Sequence, residues 1–176
     1  MDRQEYLRPH DVCVLLQLAL QPDSSFRHLS AAVGLSLGET HNAARRLELA
    51  RLVALAHGSV NLSGILEFVS AGVPYAFPPQ IGAPVRGIPT AHSAAPLSDE
   101  SMVGEAVVWP NPNGTLRGQS LTPLSPVVEN IWMRNRPLYR LLTLVDAIRM
   151  GRARERNRAR EILEGDLRSK REMGRE

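Results

Sequence analysis

The stretch 25–53, SFRHLSAAVGLSLGETHNAARRLELARLV, decides the fold. Phe26, Leu29 and Val33 recur three and four apart, so they share one face of a helix over about 25–33. Gly34 follows where a helix end takes a left-handed residue. Leu35 fills the angle after it. Ser36-Leu37-Gly38-Glu39 reads as a capping box, with the serine oxygen on the N3 amide and the glutamate reaching back. A second helix is expected to about 50, with Thr40, Ala43, Ala44 and Leu47 inward. Alanine at 43 and 44 lets two helices approach closely, as a tight helix-turn-helix requires.

The flanks extend this unit. Residues 8–20 predict a helix with Pro9 in its first turn and Val12, Leu15, Leu16, Ala19 and Leu20 inward. Residues 52–56 alternate as a strand, His57-Gly58-Ser59 makes a turn, and 60–62 returns, which gives a short hairpin or wing. A further helix over 63–71 is expected to stop at Gly72.

The pattern of an Ala-rich helix, Gly-Leu-Ser, a second helix and Leu-Glu-x-x-Gly-Leu-Val resembles the winged helix-turn-helix of MarR-like regulators. The matching residues are Leu29, Ala31, Gly34, Leu35, Ser36, Leu47, Glu48, Leu52 and Val53. Arg51 stands where that pattern has glycine. The resemblance covers about 7–71 and implies DNA binding, with repression relieved by a ligand or partner.

Beyond residue 73 the texture changes. Pro74, Pro78, Pro79, Pro84, Pro89 and Pro96 argue against a long helix or central strand. An extended ordered loop is expected, docked through Tyr75, Phe77, Ile81, Val85 and Ile88. Residues 84–92 place Arg86 and His92 inside this apolar loop, as a tie to the domain or as a ligand pocket. Strands over 106–109 and 115–121, joined by Asn111-Pro112-Asn113-Gly114, predict a β-hairpin. Ser125-Pro126 starts a helix to about 135, and Arg136-Pro137 starts a long last one. The fold class is therefore α+β and mostly α, divided into a winged unit (1–72), a Pro-rich extended segment with a β-hairpin (73–125) and a C-terminal helical region for dimerisation or partner binding (126–176).

Composition narrows the function. The net charge is +3, and Lys170 is the only lysine among 21 basic residues. Arginine forks onto phosphate and guanine, although an arginine bias also follows GC-rich coding. Residues 1–60 carry six basic and six acidic side chains, so the winged unit is neutral. Cys13 lies in an apolar run and reads as a buried hydrophobe, with a reactive thiol as the alternative. No apolar run has membrane-spanning length and no signal-peptide core opens the chain, which points to a cytoplasmic protein without membrane contact. The histidines lack metal-ligand spacing, and phosphate-loop, dinucleotide and nucleophile-elbow motifs are missing, so neither an enzyme nor a cofactor is expected.

The best candidate site is the second helix of the pair. Ser36, Leu37, Gly38, Glu39, His41, Asn42, Arg45 and Arg46 should face outward, with His57 at the wing tip. Asn42 suits adenine, and Arg45 or Arg46 suits guanine or phosphate. Arg149, Arg152, Arg154 and Arg156 offer phosphate or partner contacts, or a solvated helix end. Leu138, Leu141, Leu142, Val145 and Ile148 form a stripe that suits a two-fold dimer, unless the Pro-rich loop buries it within one chain. The expected function is a sequence-specific, dimeric repressor on double-stranded DNA. The alternative is an antitoxin-type module that neutralises a toxin and regulates its own operon.

Overall fold

The computed structural model describes residues 6–100 and 104–173. It is α+β and mostly helical. Helix α1 (Asp11–Leu20) is buried along nearly all its length, and α2 (Phe26–Val33) and α3 (Leu37–Leu49) pack on it. Ser25 caps α2, its hydroxyl accepting from the His28 amide, and Gly34 ends the helix with φ 74°. Ser36 caps α3 in the same way, accepting from the Glu39 amide at 3.2 Å. Each cap satisfies an amide that the helix itself leaves orphaned.

A two-stranded ribbon follows, β1 (Val53–Ala54) with β2 (Ser59–Val60). Its turn is a 3-10 segment closed by Gly58 at φ 55°. Helix α4 (Leu62–Glu67) runs through a π segment, Phe68–Gly72, into α5 (Val73–Ala76). The helix therefore passes the expected stop at Gly72. Pro74 falls inside this continuous run, and Ser70 O, four residues before its missing amide, accepts from Arg160 Nη2 instead.

The Pro-rich segment is a strand as well as a loop. Strand β3 (Ile81–Pro89) pairs antiparallel with both β4 (Val107–Pro110) and β5 (Leu116–Leu121). It is thus the central strand that its prolines argued against. Pro84 sits at the register shift next to Gly82, and Pro89 at the strand end, the places where proline costs no ladder bond. The expected β4–β5 hairpin does not form. These strands run parallel to each other and close a three-stranded barrel around β3. Closure brings backbones into contact: a Cβ on Gly87 would meet the Trp109 carbonyl, and one on Gly118 the Ala106 carbonyl.

Helices α6 (Val128–Arg134), α7 (Arg136–Met150) and α8 (Ala153–Met173) complete the chain. Gly151, at φ 76°, divides the expected last helix into α7 and α8. One apolar core runs through all three sequence segments, from Val12 and Leu47 through Ile88 to Leu163. Leu138, Leu141, Leu142, Val145 and Ile148 lie inside it. The expected dimer stripe is therefore covered within the chain, by α1, α8 and the 3-10 turn Ala91–Ser93 rather than by a second copy. Among the described residues no helix is long and apolar enough to cross a membrane.

A buried polar cluster joins the barrel to α7. Asp146 accepts from Thr90 Oγ1, Trp109 Nε1 and Arg149 Nη1, each at 2.7 Å. Burial pushes its carboxyl upward, against the pull of the Arg149 guanidinium and these donors. Arg149 also donates to the carbonyls of Phe77 and Pro78. Tyr139 donates its hydroxyl to Pro89 O at 2.6 Å. Burial lifts the Cys13 thiol to about 12, so it is an inert core group.

Candidate functional site

The outer face of α3 presents Leu37, Gly38, His41, Asn42 and Arg45, all exposed. The inner face, Thr40, Ala43, Ala44 and Leu47, is fully buried. This division is what the sequence spacing predicted. His41 does not swing freely: its ring stacks on Phe26 with centroids 3.8 Å apart. The stack ties the exposed face of α3 to the start of α2, where Arg27 is also exposed. Glu48 Oε1 accepts from the Leu55 amide at 3.0 Å, fixing the end of α3 to the ribbon. His57 is exposed at the ribbon turn.

Two residues expected outward are used inside. Arg46 is only 2% exposed. Its guanidinium donates to both oxygens of Asp11 on α1, at 2.8 and 2.7 Å, and to Glu39 Oε1 at 2.8 Å. Position 46 follows Glu39 by seven residues and Ala43 by three, so it shares the flank of α3 that meets α1 and faces the domain interior. Glu39 is half-buried and does not complete the capping box. Its Oε1 instead accepts from Arg46 and from His10 Nε2 at 2.8 Å. Burial opposes its ionisation, but the hydrogen bonds from Arg46 and His10 prevail and hold the carboxyl below its ordinary value. His10, Asp11 and Glu39 bring ligand atoms within 4.8 Å of one another. The Arg46 guanidinium occupies the place that a cation would take there.

The C-terminal arginines separate in the same way. Arg149 is buried against Asp146 and is not a surface contact. Arg152 and Arg154 are exposed, and Arg156 is half-buried with an Nε that finds no hydrogen-bond partner among the described residues. Arg86 donates to Gly114 O and His92 Nε2 lies 2.9 Å from Glu105 O, so both tie barrel segments together. Sequence spacing missed both buried ion pairs. The available signal was a lone carboxylate inside an apolar helix, Asp11 among Val12–Leu16 and Asp146 among Leu144–Ile148.

No family model, curated protein or solved structure matches this chain.

Proposed function

We propose that the protein is a DNA-binding transcriptional regulator whose N-terminal unit is a winged helix-turn-helix of MarR-like kind. The observation that carries this reading is the exposed face of α3. It gathers an amide, a guanidinium and an imidazole (Asn42, Arg45 and His41) on one helix, braced from behind by a fully buried face and flanked by the short β1–β2 ribbon. Such a helix fits the major groove, where Asn42 can pair with an adenine edge and Arg45 with guanine. The ribbon turn with His57 then lies beside the helix as a wing that meets the backbone or minor groove. Arg46 has no part in base contact, because its guanidinium is committed to Asp11. One recognition unit per chain suffices for this reading, since the α7 stripe is covered internally.

Selection from a randomised duplex library, followed by sequencing, tests it. Enrichment of a common motif is expected, with affinity that falls steeply as salt rises. Recovery of no motif and no salt-dependent binding would overturn it.

A further inference from the structure

The N-terminal unit is neutral, yet phosphate neutralisation normally supplies much of the affinity for DNA. Part of even its positive charge is spent internally, as Arg46 pairs with Asp11 and Glu39, and Arg8 lies 3.5 Å from Glu39. Exposed positive charge also stands at the far end of the chain. The last turns of α8 lie beside the ribbon. Lys170 and Arg171 line a cleft of about 260 Å³ together with Pro22, Asp23, Gly58 and Ser59. Arg171 also borders the Val60–Ser63 segment that follows the ribbon.

The placement is rigid. Leu163 and Leu167 are buried in the core, and Arg140 grips Asp166 at 2.6 Å, one turn before Lys170. Lys170 and Arg171 are exposed, with no carboxylate partner among the described residues. Asp23 is the one acidic residue lining their cleft, so the site keeps net positive charge. Arg168 adds less, because Glu164 holds it at 2.7 Å.

We propose that the end of α8 belongs to the DNA-contacting surface, with Lys170 and Arg171 neutralising backbone phosphates next to those met by the β1–β2 turn. The inference rests on the DNA-binding reading above and adds the source of its phosphate contacts. An exposed ammonium and guanidinium on a fixed helix end, a few residues' width from a wing, suit the regular phosphate spacing of a duplex.

The test is the salt dependence of binding to a mixed-sequence duplex by the full chain, for wild type, Lys170→Gln/Arg171→Gln and Arg117→Gln. Two lost phosphate contacts should flatten the slope of log K against log salt by about 1.8 in the double variant. Its disadvantage then shrinks by about twelve-fold between 50 and 200 mM salt. Arg117→Gln, exposed on β5 of the barrel, should keep the wild-type slope. Because Lys170 is the only lysine, amine acylation followed by mass spectrometry gives a second readout, and the duplex should protect it. A wild type that binds no duplex removes the DNA reading itself. Duplex binding with an unchanged slope in the double variant and unprotected Lys170 overturns only the α8 inference. A flattening per charge removed as large in Arg117→Gln as in the double variant overturns it too, by showing an effect of net charge rather than of position.

Discussion

Arg46 and Asp11 form a two-pronged ion pair that locks α3 to α1, with both side chains almost wholly out of solvent. Nε and Nη2 reach the two carboxylate oxygens at 2.8 and 2.7 Å, the parallel geometry that favours arginine over lysine. Removing Asp11 takes away both prongs and leaves the buried guanidinium with Glu39 Oε1 as its remaining carboxylate. Asp11→Ala should therefore destabilise the fold by about 3–5 kcal/mol, and Asp11→Leu/Arg46→Met by much less. Urea midpoints measure both. A double variant as unstable as the single one would show that the pair stabilises the fold beyond the cost of an orphaned charge.

Glu39 makes stability depend on pH in a defined direction. Its folded-state pKa lies below the ordinary 4.5. Its contribution is thus complete above about 4.5 and disappears as pH falls through the lower folded value. The groups that face it are Arg8, His10 and Arg46, with Asp11 beyond the guanidinium. Glu39→Gln should be less stable than wild type at neutral pH, and the two should converge in acid. Melting curves between pH 3 and pH 7, a span that brackets the ordinary carboxylate range, check this, and a gap that widens in acid contradicts it.

The helix pair was legible because its signals are local. Spacing of three and four set the inner face, Gly34 and Ser36 set the ends, and all of them act within one or two turns. Long-range pairings were not legible. Position 46 reads as surface from its neighbour Arg45, and only the carboxylate of Asp11, 35 residues away, draws it inward. The barrel failed for a related reason. A rule against proline in central strands holds for uninterrupted ladders, whereas Pro84 sits at a register shift that no local pattern announces. The α7 stripe was read correctly as apolar, but what covers it depends on α1 and α8 arriving from opposite ends of the chain.

Arg51 adopts φ 60°, the left-handed region that costs a residue with a Cβ about 1–2 kcal/mol. It is the position where the pattern of MarR-like proteins has glycine. The conformation is held by its amide on Glu48 O and by Asn61 Nδ2 on its carbonyl. Arg51→Gly should stabilise by up to about 1 kcal/mol after the greater chain entropy of glycine is counted. Arg51→Val should destabilise. A drop in melting temperature for the glycine variant would argue that the arginine side chain holds the turn.

α7 is part of the core and not an added dimerisation arm. A chain ending at Asn135 loses Leu138, Leu141, Leu142, Val145 and Ile148, and uncovers the side of α1 that faces α7 and α8. Each such side chain is worth about 1.5–3 kcal/mol of burial, and together they are comparable to the whole stability of an ordinary domain. The truncated chain should show no cooperative thermal transition by circular dichroism. A sharp transition near that of the full chain would mean that residues 6–135 carry a sufficient core of their own.

Arg45 and Arg46 are adjacent in sequence and opposite in role, which gives a test of the recognition surface internal to one helix. Arg45 is exposed on the face with His41 and Asn42, whereas Arg46 faces Asp11. Arg45→Ala should leave the urea midpoint within error of wild type and weaken binding to a selected duplex by about 1–3 kcal/mol, the worth of a bidentate base contact. Arg46→Ala should do the reverse in origin: its main effect is a lower midpoint, and any loss of affinity should vanish when only the folded fraction is counted. Leu47→Ala, which opens a cavity at a fully buried site, provides the reference for a purely structural change at about 2–5 kcal/mol of stability. If Arg45→Ala binds the selected duplex as wild type does, the exposed face of α3 is not the surface that reads DNA.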